Sequence, residues 1–359
     1  MWNKTQATEL LKIKYPIVQG PFGGRFSSVK LVTTVSNLGG MGSFGFNSYP
    51  PEEILAVDKE IKAQTESPYA LNLWVPLKDD PIDYFSDSDF DLLKATFKPY
   101  FDKMKAPIPD KPIRKTQTFE LQVEAIMKAA PPVVSFIFGV PSTEIINELK
   151  KKGIITMATA TTLEEAALIE EAGIDLVVAS GSEAGGHRAS FIKSAEDSLT
   201  CTRLLIHQVV DNVNIPVIAA GGISNGRDIA NVLKIGASAA QIGTAFLATN
   251  ESNASTIHKS KLLSNEPIKT DLTKVYTGRL ARTISNNLSR NFDSSNDETI
   301  APYPIQSAFL SPLRNASIAQ NKLEYVAFWS GQPSEVLKHK FAERLFNSLK
   351  EEASKNSQL

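Results

Sequence analysis

Residues 216–249 read PVIAAGGISNGRDIANVLKIGASAAQIGTAFLAT, in the order strand, glycine pair, helix, strand, glycine. The run PVIAA is short and apolar, as a strand buried on both faces should be. It ends in Gly221 and Gly222. Asn225 stands where a helix N-cap belongs, and Ile229, Val232 and Leu233 fall on one helical face before Gly236 supplies a C-terminal cap. A second apolar run then ends in Gln241, Ile242, Gly243 and Thr244. Strand, helix and strand at this spacing imply parallel pairing through a right-handed crossover. Glycine has no Cβ, so consecutive N–H groups and a helix N-terminus can close on an anion without a lysine. The plain alternative is that Gly221 and Gly222 only make a tight turn. Two such loops in consecutive units favour a phosphate site, although they do not identify the ligand.

The same unit recurs outward along the chain. Candidate strands lie at residues 17–21, 40–45, 69–75, 133–139, 154–160, 175–181, 216–222 and 239–244. Thr162 with Glu165 forms a T-x-x-E capping box ahead of an apolar helical face, and Gly173 closes that helix. This repetition predicts an α/β protein with a closed (β/α)8 TIM barrel. An open doubly wound sheet is the alternative, which strand count and loop placement disfavour.

Two stretches exceed the repeat. Residues 76–132, after strand three, contain DYFSDSDFD and the proline-rich APIPDKP and are expected to form a surface insertion. Residues 249–359 form a second excursion, expected to cover the barrel mouth. It has helical patterns near residues 317–320 and 334–349, a polar loop at 286–299 and a frayed tail from Lys350. The expected organisation is therefore a barrel over residues 1–248 and a C-terminal excursion packed on it.

Composition excludes several classes. Among 359 residues, 42% are hydrophobic and 21% charged, with a formal net charge of −1, so nothing attracts nucleic acid or an anionic membrane. The single cysteine, Cys201, cannot form an internal disulfide, which fits a reducing cytoplasm. The first residues lack the apolar core of a signal peptide, and no window approaches the roughly 18 apolar residues of a membrane helix.

The remaining chemistry lies after strands six and one. Residues 179–191, ASGSEAGGHRASF, put His187 at the catalytic face, where an imidazole can move a proton or bind an anion. Gly185 and Gly186 let this loop pass close to a planar ligand. Glu183 can tie the loop through backbone N–H groups, and Arg188 can attract an anionic substrate. The other histidines read as structural: His207 as helix packing, His258 and His339 as solvated. No His/Cys/Asp cluster has metal-ligand spacing, and Ser182 does not sit in a G-x-S-x-G nucleophile elbow. In IVQGPF the first strand runs into Gly20, Pro21 and Phe22, whose backbone can pack on a flat ring. Asn72, inside the apolar ALNLWVP, must be hydrogen-bonded if buried, either to a neighbouring loop or to a ligand.

Together these segments resemble the nitronate monooxygenase family (once called 2-nitropropane dioxygenases) over residues 14–332. GSEAGGHR, AAGGI and QIGTAFL in this order resemble FMN barrels of the superfamily. SFIFGVP, TGRLARTISN, YPIQSAFLSPLR and FWSGQ resemble the class that does not use NADH. The resemblance implies an FMN site with Gly20, Pro21 and Phe22 on the isoalloxazine, Asn72 hydrogen-bonding it and Gly185 lining it. Gly222, Gln241, Ile242, Gly243 and Thr244 would hold the phosphate end, His187 would face the substrate nitro group, and Gly331 and Gln332 would close the pocket. Two positions depart from the family pattern. Ser180 stands where glutamine is usual, shortening one flavin contact, and Ile137 stands where many members have histidine.

The implied reaction oxidises alkyl nitronates with O2 to carbonyl compounds and nitrite, with propionate 3-nitronate as the physiological substrate by analogy and detoxification as the role. His187 would stabilise substrate charge or, with neutral nitroalkanes, remove the α-proton. A homodimer is expected as the assembly. Two rivals share parts of the pattern: an NAD(P)H-dependent FMN reductase of the enoyl-acyl-carrier-protein or quinone reductase kind, and a flavin-free barrel lyase or isomerase acting on a sugar phosphate.

Overall fold

A computed structural model describes residues 1–77, 85–111, 119–292 and 298–357. Eight parallel strands occupy the eight apolar runs: β1 Ile17–Gln19, β2 Gly42–Gly45, β3 Tyr69–Trp74, β4 Val133–Ile137, β5 Ile155–Ala160, β6 Leu176–Ser180, β7 Val217–Ala220 and β8 Ala239–Ile242. Each pairs with its sequence neighbour in the ring, and β8 returns to β1 with Val18 opposite Gln241. Between β1 and β2 the circle closes through a parallel bridge from Val18 to Met41, with Met41 N–H donating to the Ile17 carbonyl at 3.0 Å and Gln19 N–H to the Met41 carbonyl at 2.9 Å. A closed sheet rules out the doubly wound alternative.

The strands are apolar on both faces because both are covered. Inside, Val18, Met41, Ala70, Val133, Met157, Leu176 and Ile218 fill the lower barrel, and Ala7, Leu11 and Ile13 from the segment containing helix Gln6–Leu11 plug its N-terminal end. Outside, helices Val29–Asn37, Pro51–Lys62, Phe119–Ala129, Thr143–Lys151, Leu163–Glu171, Thr202–Val210 and Gly226–Ile235 follow successive strands. The last runs from the Asn225 cap to Gly236 in left-handed conformation, as its sequence predicts.

The eighth covering helix comes from the chain's end. Helix Ala342–Asn356 packs between Gly226–Ile235 and Val29–Asn37, with Leu345, Phe346, Leu349 and Ala353 buried. A Cβ at Gly226 would stand 2.4 Å from Ala353 N, so glycine is what allows the two helices to meet this closely. The expected frayed tail is therefore helical through Asn356, and the helix begins at Ala342 rather than near Ser334.

The two excursions pack on each other. Helix Asp87–Met104 buries Phe90, Leu93, Phe97, Phe101 and Met104 against Val275, Tyr276, Phe292, Phe309 and Leu313, forming a second core beside the barrel mouth. Phe97 and Phe292 stack at 4.8 Å, a pair contributing about 1 kcal/mol beyond its buried area. The insertion after β3 is thus no free surface loop. Parts of DYFSDSDFD, APIPDKP and the polar segment 286–299 lie outside the described residues. Residues Asn287–Asn291 of that last segment, expected as loop, are helical.

Candidate active site at the barrel mouth

At the C-terminal ends of β7 and β8 the chain is built of glycine. Gly221 and Gly222 both take positive φ, +113° and +72°, which only glycine adopts without strain. A Cβ on Gly222 would lie 3.0 Å from the Gln332 carbonyl and 3.2 Å from Glu183 Cβ. Gly243 caps the short helix Thr244–Leu247 without any side-chain bond, and beside its Cβ position only the edge of Phe22 is near, at 4.0 Å. Among the described residues, the N–H groups of Gly222, Ile223, Gly243 and Thr244 find no protein acceptor. Backbone donors are rarely left orphaned. Donors of this kind, grouped on adjacent strand ends, fit the phosphate end of a nucleotide.

Other predicted contacts sit around the same mouth. Asn72 is 3% exposed and donates its amide to the Ser135 carbonyl at 3.2 Å and hydroxyl at 3.0 Å. Its Oδ1, the Ser180 hydroxyl and the Gln241 amide have no protein partner among the described residues, yet none is a buried orphan. They therefore open to accessible space. The Asn72 NH2 group anchors strand β4 where a neighbouring loop was expected, and its oxygen has no partner among the described residues. At the end of β1, Gly20 N–H bonds the Ile242 carbonyl at 3.0 Å, and Phe22 N–H bonds Ser27 Oγ at 3.2 Å, so the Gly20, Pro21 and Phe22 backbone is fixed beside β8. These open polar atoms, bare glycine donors and a fixed backbone shelf fit a flavin nucleotide.

His187 is placed by the C-terminal excursion. The two-residue strand Gly186–His187 pairs antiparallel with Ala281–Ile284, putting His187 opposite Ala281, and Arg188 N–H donates to the Leu280 carbonyl at 2.9 Å. Gly186, at φ +75°, makes the turn into this pairing. Aromatic rings surround the imidazole: Trp74 at 5.5 Å, Trp329 at 5.6 Å, Tyr303 at 5.9 Å and Phe138 at 6.3 Å between centroids. Arg279 lies over Tyr303 at 4.3 Å and Phe138 at 4.8 Å. Burial, aided by the Arg279 charge, pushes His187 down to about 3, so the ring is neutral at physiological pH. Ile137 leaves this wall without a second imidazole; its register partner across β3 is Trp74.

One short segment joins the two ends of the mouth. Trp329 faces His187, Gly331 N–H donates to Thr244 Oγ1 at 2.9 Å, and Gln332 N–H donates to the Glu183 carbonyl at 2.9 Å. A Cβ on Gly185 would stand 2.4 Å from Gly331 N, so the glycine loop and this segment touch.

Several sequence readings change in three dimensions. Arg188 is 3% exposed and spends its guanidinium on the carbonyls of Ser180, Gly181 and Ser198, so it clamps the β6 loop instead of meeting substrate. Glu183 does tie the loop, but through Thr202, accepting its N–H and its hydroxyl, each at 2.8 Å. Glu165 does not reciprocate the Thr162 cap. It is fully buried and accepts from Thr161 N–H and from the Phe191 and Ile192 N–H groups, holding the segment that follows His187. His207 lies exposed on the outer face of its helix, where packing was expected. His258 is 2% exposed, not solvated. It packs edge-on against Phe26 and Phe328, and its Nε2–H bonds the Trp329 carbonyl at 2.9 Å. Trp329, Tyr303, Thr277 and Arg279 were not singled out by sequence reasoning. The only signal was their place inside FWSGQ, YPIQSAFLSPLR and TGRLARTISN.

Comparison with known proteins places these features in context. The sequence model of the family described as nitronate monooxygenase matches residues 4–352. A protein of Staphylococcus aureus named a probable nitronate monooxygenase is 37% identical over 333 residues, 92% of each chain. One of Staphylococcus haemolyticus with the same name is 36% identical over 354 residues, 98% of each chain. Among solved structures, a nitroalkane oxidase from Streptomyces ansochromogenes superimposes with a TM-score of 0.87 at 33% identity, covering 98% of this chain and 99% of its own.

Proposed function

The chain belongs to the nitronate monooxygenase family, and on that premise we propose that it binds FMN and oxidises alkyl nitronates with O2 to carbonyl compounds and nitrite. The observation that carries this reading is the Trp329–Gln332 segment, which ties the aromatic wall around His187 to the bare glycine ends of β7 and β8. A phosphate held at those glycines and a substrate held under His187 then share one mouth. Bound there, FMN supplies the electron transfer that no side chain of this site can perform. Gly222, Gly243 and Thr244 would hold the phosphate through their N–H groups. Gly20, Pro21 and Phe22 would pack on the ring, and Asn72 Oδ1, Ser180 and Gln241 would meet its polar edge. Gly185, Gly186, Gly221 and Ile242 supply clearance and the strand ends that carry these contacts.

The protein's own part is to receive and orient a small anion. Trp74, Phe138, Tyr303 and Trp329 surround His187 and reduce its contact with water, which strengthens an electrostatic contact made there. Arg279 puts a positive charge beside that pocket and suits a nitronate. His187 would touch the reacting end, with propionate 3-nitronate as the proposed physiological substrate. Among the described residues no helix is long and apolar enough to cross a membrane. The reductase rival draws no support from the names of the matched family and relatives, which are those of monooxygenases.

The test is a spectrum and an assay on the purified protein. The expected result is flavin absorbance, with O2 consumption and nitrite release on adding ethyl nitronate or propionate 3-nitronate. A colourless protein, absence of nitrite, or rapid anaerobic bleaching by NADH would overturn the reading.

A further inference from the structure

The hydroxyl of Thr277 touches three polar atoms. His187 Nε2 lies at 2.9 Å, the Arg279 carbonyl oxygen at 3.2 Å and the Arg279 backbone nitrogen at 3.4 Å. A threonine hydroxyl owns one proton and two lone pairs. The Arg279 N–H can only donate, so it takes one lone pair. The single hydroxyl proton then goes either to Nε2 or to the Arg279 carbonyl. If it goes to Nε2, two oxygens face each other at 3.2 Å with no proton between them, around a side chain that is only 8% exposed. At such low exposure the repulsion is poorly screened. If it goes to the carbonyl, Nε2 carries a hydrogen and donates to the remaining lone pair, and all three contacts are attractive.

We propose that Thr277 is a positioning residue for His187: it accepts from Nε2–H, passes its own proton to the Arg279 carbonyl, and so fixes the imidazole as the Nε2–H tautomer with Nδ1 as a bare acceptor. Nδ1 has no protein partner among the described residues, where Arg188 Nε is the only buried side-chain polar atom left unpaired. Nδ1 therefore opens to accessible space. The inference rests on reading His187 as the residue that meets substrate, and it says how: the bare Nδ1 would accept the α-proton of a neutral nitroalkane and would not donate to nitronate oxygens. The groups around the ring agree with this. Among the described residues Arg279 is the charged neighbour, Tyr303 the titratable one, and Trp74, Phe138 and Trp329 carry no charge, so none of these favours an imidazolium.

The tautomer is read directly by nitrogen NMR on the flavin-loaded protein with 15N-labelled histidine, the His187 signals being assigned by their loss in His187→Asn. The wild type and Thr277→Ser should show Nε2–H. Thr277→Val, which removes the acceptor, should lose that fixed tautomer. With nitroethane, whose α-proton Nδ1 would take, kcat/KM of Thr277→Val should fall on the order of 10-fold, mostly in kcat, while Thr277→Ser stays within about 2-fold of wild type. An Nδ1–H wild type overturns the proposal without need of any variant. So does a Thr277→Val protein that keeps both tautomer and turnover. If the wild type turns over no nitronate at all, the proposed activity fails, and the tautomer result still stands or falls by its own measurement.

Discussion

The two ends of the barrel mouth are made of different material. The proposed phosphate end is backbone: Gly221, Gly222, Gly243 and Thr244 belong to two successive βα units and offer N–H groups with no side chain in the way. The proposed substrate end is side chain: Trp74, Phe138, His187, Thr277, Arg279, Tyr303 and Trp329 come from six separate segments spread over more than two thirds of the chain. The first end needs only local geometry to exist. The second exists only when the insertion and the C-terminal excursion have folded over the barrel. On the proposed reading, one end would grip a common chemical handle and the other would choose what reacts.

If that division holds, damage at the backbone end should abolish cofactor binding, and damage at the side-chain end should spare it. The largest effect is expected from Gly222→Val. Its φ of +72° disfavours any β-branched residue, and the added atoms would press on Gln332 and Glu183. The purified variant should show no flavin absorbance; a normal flavin content would mean that the phosphate lies elsewhere. Next comes His187→Asn, which should retain flavin yet lose on the order of 100-fold or more in kcat/KM for neutral nitroethane. Unchanged turnover would remove His187 from the chemistry. Loss of flavin in that variant would erase the proposed division between the ends.

A smaller effect is expected where the two ends are joined. Thr244→Val deletes the acceptor for Gly331 N–H. A lost hydrogen bond of this kind costs about 1 kcal/mol, which for a chain of this size lowers Tm by roughly 1–2 °C. The KM for nitronate should rise with it, because Trp329 is two residues from the released Gly331. An unchanged Tm and KM would show that the Trp329–Gln332 segment needs no such fastening.

A last effect concerns pH. His187 is held down to about 3 in the folded protein, against about 6.5 in an unfolded chain. Between those values the unfolded state binds the extra proton, so stability falls as pH drops from about 6.5 toward 3, and His187 contributes no pH dependence above that window. The kcat/KM profile should therefore show no limb near pH 6.5 from this residue. Urea unfolding at pH 7 and pH 5 should differ less in His187→Asn than in the wild type. A limb near 6.5 that disappears in His187→Asn would show that the ring is far wetter than its aromatic surroundings suggest.

Legibility followed the same line. All eight barrel strands could be read from the chain, because a strand buried on both faces writes itself as an uninterrupted apolar run. The Asn225 cap and the Gly236 terminus were readable for the same local reason. The eighth covering helix was not: Ala342–Asn356 has a polar outer face, and nothing in its own pattern says that it returns, 100 positions after β8 ends at Ile242, to fill the gap between helices Gly226–Ile235 and Val29–Asn37. Arg188 and His258 were misplaced for a related reason. Whether a charged or imidazole side chain is solvated depends on what covers it, and the covering residues, Ser198 for one and Phe26 and Phe328 for the other, are distant or unremarkable in sequence.

By itself, the sequence determined the barrel, the glycine ends and the loop that carries His187, since each depends on the period, length and residue type of one short stretch. Tertiary structure alone decided which residues wall that imidazole, that Thr277 meets its Nε2, and that Arg188 and Glu165 are fasteners. Those outcomes depend on burial and on the pairing of remote segments, and neither is a property of any single window of the chain.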